Sequence, residues 1–137
     1  MPDGPVVLSG QVRGASGDAV LFCFSASRRP EQKQGLRHVT VEQILGDQSL
    51  RESLQQFGAK LVQVSGAGRF RVEMPTPGEH FLLVLTDPGG RPPERPTTKT
   101  LARLGRYFLR GDQLLGRFRW SWSEIKLNVD EEIAIDI

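Results

Sequence analysis

Residues alternate between a core-facing and a solvent-facing set over Val6–Val12, with Val6, Leu8, Gly10 and Val12 against Val7, Ser9 and Gln11. The same period of two runs over Arg69–Met74, where Phe70, Val72 and Met74 face one way and Arg69, Arg71 and Glu73 the other. A period of two is the signature of a strand with one buried face. Ala19–Ser25 differs, because Val20, Phe22 and Phe24 are apolar on one face and Leu21 and Cys23 on the other. That strand is expected to be covered on both sides. His80–Leu85 is almost wholly apolar and reads as a second central strand, and Lys60–Val64 as a shorter one. Gly14–Asp18, Ser65–Gly68 and Pro75–Gly78 supply turns between strands, since glycine tolerates positive φ and proline presets φ near the turn value.

The period changes between Arg28 and Gly58. Arg28–Arg37 is polar, carries Pro30 and Gly35, and reads as a loop. Thr40 with Gln43 and Ser49 with Glu52 each have capping-box spacing, and Val39 and Ile44 stand at the staple positions of the first helix. Leu50, Leu54 and Phe57 then recur at helical spacing, with Gly46 and Gly58 as stops. The segment 40–58 is therefore read as a helical insertion. A second irregular region, 87–115, begins with a Pro- and Gly-rich loop. It continues as a helix over Thr100–Leu109, with Leu101, Leu104 and Phe108 on one face, and ends in a short turn capped by Asp112. Phe118, Trp120 and Trp122 alternate with Arg117, Arg119 and Ser121 as in a strand, and Ile125–Val129 and Glu132–Ile137 read as closing strands. Short strands separated by turn signals, with few helices and no strict strand–helix alternation, point to an all-β sandwich forming a single domain over 1–137.

The run Gly68-Arg-Phe-Arg-Val-Glu-Met-Pro-Thr-Pro-Gly-Glu-His-Phe-Leu-Leu-Val84 resembles the "G-x-F-x-F … L-P-P-G-x-Y-x-L-x-V" hairpin of carboxypeptidase regulatory-like domains. Leu8–Val12 followed by Asp18–Phe22 is similar to that family's opening strands. These are prealbumin-like domains, related in shape to collagen-adhesin B-type repeats. The resemblance covers roughly residues 6–25 and 60–86. It implies a seven-stranded antiparallel Greek-key sandwich with short helical insertions, and a non-catalytic accessory or structural module of the kind often carried by exported or membrane-anchored proteins. The chain departs from the family pattern at Thr76, an extra turn residue, at His80, where the family has an aromatic, and in the 40–58 insertion.

Composition narrows the chemistry. The lone cysteine, Cys23, rules out an internal disulfide or a cysteine metal cluster, and its apolar surroundings mark it as a small buried hydrophobe. His38 and His80 are the only histidines and lack metal-ligand spacing. There is no G-x-S-x-G elbow, and Gly66-x-Gly68 is a hairpin turn with no helix after it, so no catalytic residue, cofactor or metal is assigned. No stretch is apolar and long enough to span a bilayer, and the first residues do not form a signal peptide; the compartment stays open between cytoplasm and cell envelope.

Net charge is only +2, but Arg91–Arg119 holds eight basic and two acidic residues, whereas Trp120–Ile137 holds five acidic residues and one lysine. These segments can neutralise each other or mark a binding face. Arg103, Arg106 and Arg110 have the spacing of one helix face, and Arg117 and Arg119 alternate with Phe118, Trp120 and Trp122. The aromatics read first as core and the arginines as a solvated face. Read functionally, Arg103, Arg106, Arg110, Arg117, Arg119, Trp120 and Trp122 form a candidate surface for a protein partner or larger parent chain, or for a carbohydrate or polyanion.

Overall fold

The computed structural model describes residues 6–14, 18–38, 40–64, 66–74, 77–87 and 95–137. The Val39 staple, parts of three turns (15–17, Ser65 and 75–76) and the Pro-rich stretch 88–94 lie outside the described residues.

Among the described residues, seven strands and four short helices follow in the order β1 (Val6–Arg13), β2 (Ala19–Ser25), α1 (Val41–Leu45), α2 (Gln48–Gln56), β3 (Lys60–Val64), β4 (Arg69–Met74), β5 (Gly78–Thr86), α3 (Thr98–Leu104), α4 (Gly111–Gly116), β6 (Arg119–Leu127) and β7 (Glu131–Asp136). They form a three-stranded sheet, β4-β1-β7, and a four-stranded sheet, β3-β2-β5-β6.

The two-faced pattern of β2 explains how the layers are held. Leu21 and Cys23, with Leu82 and Val84 of β5, share a buried cluster with Val6, Leu8, Phe70, Val72, Met74 and Ile135 of the other sheet. Val20, Phe22 and Phe24, with Phe81, Leu83 and Leu85, join a second cluster built from the helices and the loops beside them. The two faces of the four-stranded sheet thus contribute to different cores, one shared with residues of the second sheet and the other with residues of the helices. Aromatic rings fill the helix side. Phe24 stacks on Tyr107 at 4.1 Å and 12° and meets Phe108 edge-on at 5.7 Å.

Local chemistry places the helices. Thr40 Oγ1 accepts the Gln43 amide proton and starts α1, as the capping-box spacing predicts. The start of α2 is Asp47 rather than Ser49. Its Oδ1 accepts from Leu50 N at 3.0 Å while Oδ2 pairs with His38 Nε2 at 2.9 Å, so this carboxylate serves the helix and the loop together. Phe57 closes α2, and Gly58 follows with φ +80°, the left-handed conformation that glycine adopts without strain.

The C-terminal half corrects four expectations. The helix expected over Thr100–Leu109 spans only Thr98–Leu104, capped by Thr97 at its start and Gly105 at its end. The chain then bends so that Tyr107 O accepts from Gln34 N and Leu109 N donates to Gln34 O, both at 2.8 Å. These bonds form an isolated parallel bridge between Gln34 and Phe108, and the Leu109 amide is given to Gln34 rather than to the turn before it, so the helix does not run on to 109. Asp112 lies in the first turn of α4 but does not cap it; Arg110 occupies the cap, at φ 51°. Trp120–Trp122 and Ile125–Leu127 belong to one nine-residue strand, β6, which pairs with β5 along its whole length.

The fourth correction concerns strand direction. β7 runs parallel to β1, so the sheets are not purely antiparallel. The short link Asn128–Asp130 carries the chain from β6 in one sheet to β7 in the other, and this crossing sets the direction of β7. Asp130 Oδ1 accepts from Val7 N at 2.8 Å and fixes the crossing against β1.

Candidate interaction surface

A strand at a sheet edge exposes unpaired amides and carbonyls, and proteins usually protect such edges with charge, shortness or a covering element. Three of the four edges are protected in this way. β4 presents Arg69, Arg71 and Glu73, and β7 presents Glu131, Glu132 and Asp136. β3 has only five residues and lies against α2, whose Arg51 donates to Leu61 O at 3.4 Å. β6 is different. It is nine residues long, its run Trp120-Ser121-Trp122-Ser123 is uncharged and half-buried, and charge returns at Glu124 and Lys126. Among the described residues no strand pairs with its outer edge.

The tryptophans of β6 face the helix side of the sheet, where both pack partly against the aromatic cluster. Trp122 lies 5.5 Å from the Phe81 ring and donates through Nε1 to Glu124 Oε2 at 3.3 Å. The guanidinium carbons of Arg103 and Arg106 lie 5.7 and 5.8 Å from the centre of the same Phe81 ring, within cation–π range. Arg103 Nε is also 3.6 Å from Glu124 Oε1. Tyr107 completes the group, its ring 6.3 Å from Phe81. Burial raises the Tyr107 hydroxyl pKa, an effect opposed by the charges of Arg106, Arg29 and Arg103.

The structure brings together only part of the candidate surface. Arg103, Arg106 and Trp122 converge on Phe81, with Trp120 two residues along the same strand face. The expected helix face shared with Arg110 does not form, because α3 ends before Arg106. Arg117 Nη2 donates to Leu36 O and ties the 28–38 loop to the end of α4. Arg119 crosses from β6 to the other sheet, donating to Gly14 O at 3.1 Å and Ile137 O at 2.8 Å. Arg117 is used within the helix side and Arg119 between the sheets, so these two guanidinium groups do not extend a basic patch from Arg103 and Arg106.

Phe81, Tyr107 and Glu124 belong to the cluster and were not singled out from the sequence. Phe81 could have been found: alternation along β5 sends Phe81, Leu83 and Leu85 to one face and Leu82 and Val84 to the other. Nothing in the sequence shows that two arginines meet over that ring.

The remaining chemistry-bearing groups are separate. Cys23 is fully buried, and burial pushes its thiol pKa far up. His80 is 1 % exposed, with Nδ1 at 2.9 Å from Gly78 O and Nε2 without a hydrogen-bond partner among the described residues. No helix among the described residues is long and apolar enough to cross a membrane. A comparison of the chain with protein-family models, with curated proteins and with solved structures finds no match.

Proposed function

We propose that the chain is a prealbumin-like Greek-key sandwich of the carboxypeptidase regulatory-like kind, acting as a non-catalytic interaction module. In this reading it receives an extended segment of a protein partner along the outer side of β6. The sandwich is supported by the buried cluster common to both sheets, into which Phe70, Val72 and Met74 project. The binding mode rests on one observation: β6 is the longest of the edge strands, and among the described residues no strand pairs with its outer side. An added strand would gain main-chain hydrogen bonds from β6 and side-chain contact from Trp120 and Trp122, the pattern of β-augmentation.

The test is to select peptides from a random library on the wild-type protein and to follow amide exchange when they bind. Bound peptides should slow exchange at Trp122, Glu124 and Lys126, whose amides alternate away from β5, and Lys126→Pro, which removes one of these outward donors, should weaken capture while the β1 and β2 amides stay protected. Peptides that bind with no change in β6 exchange would defeat the reading.

A second reading, a site for carbohydrate or polyanion, is favoured by Arg103 and Arg106 meeting over Phe81 beside Trp122. It requires salt-dependent retention on heparin, or a tryptophan emission shift with glycans, that is lost in Arg103→Glu/Arg106→Glu. Retention unchanged in that double variant counts against it.

A further inference from the structure

A second concave site lies away from the β6 edge, between the 28–34 loop and the C-terminal half of α2. It is a cleft of about 440 Å³ lined by Arg28, Arg29, Gln32, Gln34, Ser53 and Gln56, with Pro30 and Glu31 at its side and Phe57 among its walls. That volume is within the range of small-molecule sites.

Both ends of the loop are tied down. Arg28 N donates to Ser25 O at 3.1 Å, and Gln34 is bonded through both main-chain groups to Tyr107 and Leu109. Ser53 and Gln56, three residues apart on α2, share a helix face. Phe57 is held by stacking on Phe24 at 6.4 Å and on Tyr107 at 6.1 Å. Gly58 makes room for Arg28: a Cβ there would stand 2.6 Å from Arg28 Nη1.

The lining is an unusual mixture. Two guanidinium groups, neither in an ion pair among the described residues, stand beside three glutamines, a serine and one aromatic ring. Guanidinium forks match a carboxylate or phosphate, while amides and a hydroxyl match a hydrogen-bonding body. Charge decides between the anions. Arg28 and Arg29 against Glu31 leave the lining at +1, which one carboxylate balances, whereas a phosphate monoester brings roughly −1.5 to −2 at neutral pH.

We propose that this cleft binds a small organic monocarboxylate, with the carboxylate on Arg28 and Arg29, amide or hydroxyl groups on Gln32, Gln34, Ser53 and Gln56, and an apolar portion against Phe57. The site is independent of the β6 edge, and its test reads different amides.

The probe is hippurate, which joins a carboxylate, an amide and a phenyl ring, titrated into the isotope-labelled full chain and followed by amide chemical shifts. Its methyl ester and phenyl phosphate are titrated in parallel. Saturable shifts confined to Arg28–Gln34 and Ser53–Gly58 are expected, with binding about tenfold weaker for the uncharged ester and for Arg29→Gln, the loss of one charged contact. Arg28→Gln provides a second variant if Arg29→Gln disturbs the spectrum elsewhere. Equal binding of ester and acid, or no saturable shift at about 20 mM probe, would overturn the proposal, since even millimolar affinity would then be saturating. Tighter binding of phenyl phosphate than of hippurate would overturn the assignment to a monocarboxylate.

Discussion

Phe24 is the residue whose loss tests the helix layer most directly. Its ring is fully buried and touches four others: Tyr107 at 4.1 Å, Phe108 at 5.7 Å, Phe22 at 6.2 Å and Phe57 at 6.4 Å. Truncating a buried phenylalanine to alanine costs about 3–5 kcal/mol, and each well-placed ring pair contributes roughly 0.5–1.5 kcal/mol beyond area burial. These terms overlap, so Phe24→Ala is placed near the upper end, at about 4–5 kcal/mol. That is a large share of the roughly 5–15 kcal/mol by which a domain is stable. With a urea slope of about 2 kcal/mol per molar, the unfolding midpoint should fall by roughly 2 M at unchanged slope.

Two probes make the assay specific. Trp120 and Trp122 pack against the helix-side cluster, so their emission reports that layer, while far-UV circular dichroism reports the sheets as well. Both should move together if the layers unfold as one unit. Phe24→Leu retains most of the volume and should cost about 1–2 kcal/mol, which keeps the comparison available if the alanine variant is too unstable to purify. A midpoint change below about 0.5 M for Phe24→Ala, or tryptophan emission that melts well before the sheets, would refute an integral helix layer.

Three further outcomes follow from the packing. Gly10→Ala should destabilise by about 2–3 kcal/mol, because a Cβ there would stand 2.0 Å from Ile133 O; hydrogen exchange should show β7 losing protection first. Arg119→Ala removes two charged bonds between the sheets and should cost about 1–3 kcal/mol in urea unfolding, whereas Arg119→Lys should recover only part of this. The Cys23 thiol holds its proton more tightly folded than unfolded. The stability linked to it is therefore complete below the unfolded value near 8.5 and declines as pH rises above it. Cys23→Ala should flatten that alkaline decline, and a thiol reagent should react with Cys23 only at the rate of unfolding.

Much of the framework was legible in the sequence. Alternation located β1, β4 and the two-faced β2, and Thr40 and Gly58 marked helix ends, because these signals are local: a period reports which faces lose water, and a cap reports which amides need a partner. What covers the second face of β2 was not legible. Apolar residues at 20, 22 and 24 require a cover but do not say whether it is a sheet or helices. The start of α2 was misplaced because Asp47 is held by His38, nine residues earlier, a contact outside any local pattern.

The sequence by itself determined β1 to β5 with their buried faces and the helical insertion over 40–58, since burial periodicity and capping are properties of short segments. Tertiary structure alone decided the parallel course of β7, the place of β6 at the end of its sheet and the fate of the arginines. Arg117 and Arg119 reach backbone carbonyls of Leu36, Gly14 and Ile137, while Arg103 and Arg106 meet over Phe81. A carbonyl acceptor is the same in every residue, and which ones remain unpaired depends on how the sheets end, so the sequence carries no mark of where a guanidinium will find its partner.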